Sequence, residues 1–287
     1  MTQPPDLMAL GEFKPSDQWQ THVNSIFYGI KGPEIHNHFQ TYVSLDHRLA
    51  HALAEDFYKQ TVGKKPKGRA WIIQEWGVGN GNLAGCFLSR LKEIDFNQQV
   101  YPFTRYILCD ESEEILKGAR VNPRLQQHEG KFSTVRIHAE YLDCFQPRTV
   151  TKIISNEIWD DLATKVIIKS ENQYYEEFLC PHLSPNFPGT DDPYFLKQFR
   201  DKDLKELAKL PPFLDAIHWE RDFQRVELSD WPFANILKKH SQNLKDEIPT
   251  PINTGAFAAL KKAKELLEPD SLGYTGFDYG MLDFKDL

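Results

Sequence analysis

Short apolar runs alternate with segments of helical spacing through the middle of the chain. They predict strands over 70–75, 104–109, 133–138 and 151–155, with helices over 82–94 and 112–120 between the first three. Strands alternating with helices need crossover connections, which makes the fold class α/β with a doubly wound parallel sheet. The flanks read differently. Residues 1–18 are polar and contain prolines, and predict a loose arm. Residues 19–62 predict helix with an irregular break over 28–42; beyond it Leu45, Leu49, Leu53 and Phe57 recur at helical spacing. The stretch from Thr164 to Leu179 turns at Ser170-Glu-Asn172 and predicts a β-hairpin. Residues 181–215 are proline-rich, with a charged helix near Asp201–Leu210. A strand pair at 216–219 and 223–228, a helix at 254–267 and a last strand at 272–278 follow. The expected organisation is an N-terminal arm and helical lid over 1–68, then a ligand-binding α/β domain over 69–287 carrying a β-rich insertion over 160–232.

Composition narrows the function classes. A hydrophobic share of 40% and a charged share of 26% in 287 residues are those of a soluble globular protein. The net charge of -7 argues against a general electrostatic grip on nucleic acid or an anionic membrane. The basic stretch Gly63-Lys-Lys-Pro-Lys-Gly68 reads as a solvated linker. Cys86, Cys109, Cys144 and Cys180 form no CxxC unit, so structural zinc is not expected and a reducing compartment is. His47 and His51 lie four apart but have no third ligand in the pattern, and no metal is expected. The first residues lack a basic region followed by an apolar one, which leads to a cytoplasmic expectation.

The candidate chemistry lies where the predicted strands end. After the first strand come Gly77, Gly79 and Gly81, then a helix. A strand, a glycine turn and a helix N-terminus present backbone N–H groups to a ligand. Strand two ends in Asp110-Glu111-Ser112. Asp110 can accept hydrogen bonds from both ribose hydroxyls of a nucleoside; taken alone it could instead cap the next helix, but the glycine loop on the preceding strand favours the ligand. Asp110 follows Gly81 by 29 residues, whereas the dinucleotide fingerprint places its acid about 20 residues on and spaces its glycines GxGxxG. Both departures favour S-adenosyl-L-methionine over NAD, and an NAD-dependent oxidoreductase is the disfavoured rival. Strand three ends in His138-Ala-Glu140-Tyr141-Leu-Asp143, where Glu140 or Asp143 could take an adenine amino group and Tyr141 could pack on the ring. Strand four ends in Asn156-Glu157-Ile-Trp-Asp160-Asp161. Carboxylates grouped beyond a buried strand are costly unless they meet something cationic or rich in donors, and Asn156, Glu157 and Asp160 are the candidate reaction centre.

These residues resemble a known family. Glu75-Trp-Gly-Val-Gly-Asn-Gly81 resembles the E-(L)-G-x-G-x-G motif of class I S-adenosyl-L-methionine-dependent methyltransferases. Asn156-Glu157-Ile-Trp-Asp160-Asp-Leu162 resembles the N-E-F-F-D-A-L motif of the MidA-like family, the mitochondrial complex I assembly methyltransferases. His38-Phe39-Gln-Thr41, Asp110-Glu-Ser112 and Phe277-Asp278-Tyr279-Gly280 resemble that family's D-F-x-T, E-x-S and I-D-Y-G in the same order. Val78 and Asn80 replace the proline and arginine of the family's glycine loop. The resemblance implies a Rossmann-like class I sheet with S-adenosyl-L-methionine as cofactor. Its cofactor residues would be Thr41, Glu75, Gly77, Gly79, Gly81, Asp110, Glu111, Glu140, Tyr141 and Asn156; Thr41 and Tyr42 would close over the ligand. It also implies a protein arginine as acceptor, with a small-molecule acceptor as the other possibility, and adds a mitochondrial location as an alternative. The family continues into two more strands after the D-Y-G motif, so either the chain is a truncated form or the sheet is completed in some other way; an unpaired strand edge there would suit aggregation or a homodimer. A non-catalytic assembly partner built on the same fold is the rival from another class.

Overall fold

A computed structural model of the chain describes residues 7–32, 41–139, 143–241 and 244–278. Two short strands, β1 (Met8–Ala9) and β2 (Lys14–Pro15), lead into helix α1 (Ser16–Lys31). Helices α2 (Tyr42–Leu45) and α3 (Arg48–Thr61) precede β3 (Trp71–Trp76), α4 (Asn82–Ile94), β4 (Thr104–Asp110), α5 (Glu113–Arg120), the single turn α6 (Pro123–Gln126), β5 (Phe132–Arg136) and β6 (Lys152–Asn156). Then come β7 (Thr164–Ser170), β8 (Gln173–Leu183), α7 (Phe195–Asp201), α8 (Leu204–Leu207), β9 (His218–Val226), α9 (Ala234–Ser241), β10 (Thr250–Asn253), α10 (Thr254–Leu266) and β11 (Tyr274–Phe277). They form two compact units, one of Lys31–Asp160 and Ala258–Leu287, the other of Met1–Ile30 and Asp161–Phe257.

The first unit holds a parallel sheet in the order β11-β6-β3-β4-β5. Its central strand, β3, is buried on nearly every residue because both faces are covered. Phe57 of α3 meets Phe87 of α4 edge-on at 5.7 Å, and Phe87 meets Tyr106 of β4 at 5.5 Å, so the aromatic core runs from helix to sheet. Ala50, Leu53, Ala54 and Phe57 form the buried stripe of α3. Leu45, expected in that stripe, lies in α2 instead and is 65% exposed.

The second unit is built on an antiparallel sheet around β8, which pairs with β7, β9, β1 and β2, while β10 pairs with β7. The predicted hairpin is β7–β8. Its two loop residues, Glu171 and Asn172, have φ of +48° and +62°, the signature of a type I′ turn. The strands expected at 216–219 and 223–228 are one continuous strand, β9, paired with β8 from Tyr174 to His182. The charged helix expected near 201–210 is two short helices, divided at Lys202, whose φ is +55°. The first residues are not wholly a loose arm, because β1 and β2 find their hydrogen-bond partners on β8. For the same reason this unit cuts the chain at different places from the expected 160–232: it runs to Phe257 and takes in the first 30 residues. Trp19 and Ile26 of α1 pack with Leu183, Phe195, Phe199 and Phe213 as its core.

Glu171 bears the cost of a left-handed conformation that glycine avoids. Glu171→Gly is expected to raise stability by about 0.5–1 kcal/mol. Equilibrium urea denaturation checks this, and a loss of stability would remove the type I′ assignment.

Candidate functional site

The strand β3 has β4 on one side and β6 on the other, the reversal of strand order beyond whose C-terminal ends open α/β sheets bind their ligands. The turn that leaves it is left-handed three times: φ is +72° at Gly77, +53° at Gly79 and +75° at Gly81. Side-chain-bearing residues rarely adopt this conformation. Two of the glycines also answer to packing. A Cβ on Gly77 would stand 2.2 Å from Ile158 Cγ2, and one on Gly81 would stand 3.2 Å from Ala119 Cβ of α5. Gly77 N–H donates to Cys109 O at 2.9 Å, tying the turn to β4. Gly81 caps α4 without a side-chain acceptor. Among the described residues the N–H groups of Gly79, Asn80 and Leu83 make no hydrogen bond. Three such donors at a glycine turn and a helix N-terminus suit a carboxylate.

Asp110 ends β4 beside this turn. Its Oδ2 accepts from Val78 N at 3.2 Å and its Oδ1 from Ser112 N at 2.9 Å. The helix cap is Ser112, whose Oγ accepts from Ile115 N at 3.3 Å, so Asp110 is not the cap of α5. Its carboxylate is instead fixed across two neighbouring strand ends, and its charge raises the pKa of Glu75. Glu111 lies next to it, with Oε2 at 3.8 Å from His138 Nε2.

Glu75 is placed differently from the expectation of a cofactor ligand. It is 3% exposed, and Tyr106 Oη donates to its Oε2 at 2.8 Å. Burial, with the Asp110 charge adding to it and the tyrosine hydrogen bond opposing it, pushes its carboxyl up to about 8. Burial therefore favours the protonated form of this internal acid.

Thr41 and the segment after it hang on the turn. Asn80 Nδ2 donates to Ser44 O at 2.9 Å, and Asn82 Nδ2 donates to Val43 O at 2.7 Å and to Asp46 O at 3.1 Å. Thr41 O accepts from Ser44 N–H and Oγ, closing the first turn of α2. Glu140 and Tyr141, expected near an adenine, lie outside the described residues, as do His38, Phe39, Tyr279 and Gly280. Asp143 is paired with Lys262 Nζ at 2.7 Å.

The strand-four residues gather at the end of β6. Asn156 Nδ2 donates to Glu157 Oε1 at 3.2 Å, and Glu157 N–H donates to Phe277 O of β11 at 2.7 Å. Glu157 has φ of +52°, a strained conformation for a side-chain-bearing residue that sits at the switch point. Asp160 is exposed. Asp161 belongs to the other unit, where Tyr28 Oη donates to its Oδ2 at 2.5 Å.

Sequence reasoning missed the aromatic support below these residues. Tyr274 Oη lies 2.5 Å from Ser155 Oγ and accepts from Trp159 Nε1 at 2.9 Å; the Tyr274 and Trp159 rings stack at 6.2 Å. Asp278 Oδ2 accepts from Trp159 N–H at 2.7 Å. A Cβ on Gly276 would reach 2.9 Å from Tyr274 and 3.0 Å from Trp159, which explains a glycine inside β11. The available signal was the two-residue alternation of Tyr274 and Gly276 on one face of that strand. Among the described residues no three His, Cys, Asp or Glu side chains gather as a metal site.

The model of a family described as "Putative S-adenosyl-L-methionine-dependent methyltransferase" matches residues 49–282. No curated protein matches the sequence. Among solved structures, a Burkholderia thailandensis protein bound to S-adenosyl-homocysteine superposes with a TM-score of 0.61 at 14% identity, over 94% of this chain and 59% of that one. An uncharacterized protein of the same superfamily and organism gives 0.58 at 14% identity, over 95% and 58%. At this identity the likeness concerns the fold. The chain spans a little under three fifths of the length of these two structures.

The raised carboxyl of Glu75 has a pH signature. Between an ordinary value of 4.5 and about 8 the folded protein keeps a proton that the unfolded chain has released. Its stabilising contribution is full below 4.5 and is lost as pH rises through 8, with a slope of at most about 1.4 kcal/mol per pH unit. Glu75→Gln is expected to flatten that slope. Urea denaturation of both proteins at several pH values across this window checks it, and parallel curves would refute it.

Proposed function

The chain belongs to this family of S-adenosyl-L-methionine-dependent methyltransferases, and we propose that it transfers a methyl group from that cofactor to a nitrogen of a cationic acceptor, a protein arginine side chain. The observation that carries the reading is the left-handed turn Gly77–Gly81 with Asp110 fixed across it. The donor set fits the cofactor. The N–H groups of Gly79, Asn80 and Leu83 would hold its carboxylate, and Asp110 would accept from its ribose hydroxyls.

The cofactor, when bound, supplies a methyl group activated by a positively charged sulfur. The residues of the chain align an acceptor with it and manage the proton that the acceptor nitrogen gives up. Glu157 is the residue for that proton, with Asn156 Nδ2 orienting its Oε1. A carboxylate at this place also suits a guanidinium, through charge-assisted, forked hydrogen bonds. Asp160 adds a second negative charge on the same connection. The arginine assignment rests on this carboxylate grouping and on the strand-four motif Asn156-Glu157-Ile-Trp-Asp160. The half-buried rings of Trp159 and Tyr274 favour a second reading, a small aromatic or heterocyclic acceptor.

Two variants separate binding from transfer. Asp110→Ala is expected to weaken S-adenosyl-L-methionine binding by at least tenfold in calorimetry, the loss of hydrogen bonds to a charged acceptor. Glu157→Gln is expected to retain binding while slowing methyl transfer by at least a hundredfold, the range for a general base. Transfer is read with methyl-labelled cofactor in a lysate, where label in protein arginine supports the first reading and label in the small-molecule fraction the second. Cofactor binding without any labelled product would overturn both in favour of an assembly role.

A further inference from the structure

The basic stretch that leads into β3 lines a cavity of about 700 Å³ in the parallel-sheet unit. The lining takes Lys64, Lys65 and Arg69 from that stretch, and Gln98, Gln99 and Phe103 from the segment before β4. All six residues are exposed, so each is open to a ligand. The strands run parallel and both segments precede theirs, which places the cavity at the N-terminal edge of the sheet. The glycine turn leaves the opposite edge, and the six residues of β3 put about 20 Å between the two.

The fold holds both segments in place. Buried Asp95 accepts from the N–H groups of Gln99 at 2.9 Å, Val100 at 2.8 Å and Tyr101 at 2.7 Å, and Phe103 N–H donates to Val100 O at 3.1 Å. In the basic stretch Lys64 N–H donates to Thr61 O at 3.0 Å, and Lys67 is paired with Asp270. A backbone fixed in advance loses little freedom when a ligand arrives.

The charge at this edge is one-sided. No lining residue is acidic. Among the described residues Lys64, Lys65 and Arg69 make no ion pair, although the chain carries 41 acids against 34 bases. Two more cations gather beside Phe103, where Arg105 Nη1 and Lys131 Nζ both donate to Pro102 O, at 3.3 and 2.7 Å. Burial lowers the pKa of Lys131, and the neighbouring Arg105 charge lowers it further. Like charges gathered without an anion repel one another, and a bound anion relieves that repulsion. Phe103 is 47% exposed, and an aromatic face beside cations is how proteins hold a base together with its phosphate. The amides of Gln98 and Gln99 both donate and accept, which suits the edge of a base. The volume lies in the range of small-molecule sites, and with a net charge of -7 over the whole chain it favours a single nucleotide over a long strand.

We propose that this cavity binds a nucleotide, its phosphates on Lys64, Lys65 and Arg69 and its base against Phe103. The site is separate from the methyltransferase reading and stands or falls apart from it. The full chain is titrated by calorimetry with ATP, tripolyphosphate and adenosine, with S-adenosyl-homocysteine in excess to occupy the glycine turn. ATP is expected to bind saturably, tripolyphosphate at least about fivefold more weakly for want of a stacked base, and adenosine not at all. The double variant Lys64→Glu, Lys65→Glu is expected to weaken ATP by at least about tenfold, the loss of charge-assisted hydrogen bonds. Phe103→Ala is expected to bring ATP down to the tripolyphosphate level. Asp110→Ala is expected to leave ATP binding unchanged, which separates this site from the glycine turn. The three lining side chains replaced are exposed, and circular dichroism confirms that each variant folds. Absence of saturable ATP binding, equal affinity for ATP and tripolyphosphate, undiminished binding in the folded double variant, or its loss in Asp110→Ala would each overturn the proposal. A mixed-sequence oligoribonucleotide is the last probe, and tighter binding than that of ATP would overturn a free nucleotide as the occupant.

Discussion

The site depends on one constraint: β3 has parallel neighbours on both sides. The chain runs outward through β4 and β5, then returns to lay β6 on the other edge of β3. Connections leaving β3 and β6 therefore come off side by side. Ile158, just beyond β6, sits where a Cβ of Gly77 would be, and Gly77 N–H reaches back to Cys109 O. The glycine turn is thus squeezed between two strand ends, and left-handed backbone is what fits. Tyr106 donates to the buried Glu75 carboxyl, whose burial pushes it toward the neutral form that a low-dielectric interior favours.

The same topology explains how an insertion can interrupt the sheet without spoiling the site. Residues Asp161–Phe257 intervene between β6 and β11 in the chain. In space β11 lies directly beside β6, with Phe277 opposite Asn156. Its Phe277 carbonyl holds Glu157 N–H, and its Asp278 carboxylate holds Trp159 N–H across a separation of 119 residues. The strained φ of Glu157 persists because β11 over-determines it. Strand pairing, not chain continuity, keeps the strand-four motif in place.

The centre of the parallel sheet was legible because β3 and β6 are buried along nearly their whole length and carry short apolar runs; the edge strands β5 and β11 are only partly buried. The predicted helix over 82–94 coincides with α4, and β4 extends only to Asp110 beyond its predicted end. The antiparallel unit was less so. β1 and β2 are two residues each, and nothing local predicts a partner on β8 far along the chain. β9 reads His218-Trp-Glu-Arg-Asp-Phe-Gln-Arg-Val, mostly exposed, so no apolar alternation marks it and its charged centre reads as a break. The glycine turn and Asp110 could be singled out because a turn, a helix start and a strand end are local events. Glu75 misled because β3 is buried on nearly every residue, and a two-residue period then cannot say which side chain faces the ligand. Tyr274 and Trp159 meet across 115 residues, beyond any local pattern.

Asn80 shows how the turn divides its work. Its side-chain Nδ2 holds Ser44 O, its Oδ1 accepts from Asn82 N–H, and its carbonyl accepts from Asn122 Nδ2. Each of these bonds is internal, and Asn82 adds two more to the segment that begins at Thr41. The side chains of the turn therefore hold the protein to itself, and what they leave for a ligand is backbone N–H. Backbone donors recognise a carboxylate common to every user of the cofactor and carry no information about the acceptor. A change at position 80 accordingly bears on how the Thr41–Asp46 segment is held rather than on which molecule is methylated. On the reading proposed above, acceptor choice would come from residues that do present side chains, among them Asn156 and Glu157 at the C-terminal edge of this sheet, with Tyr274 and Trp159 packed beside them.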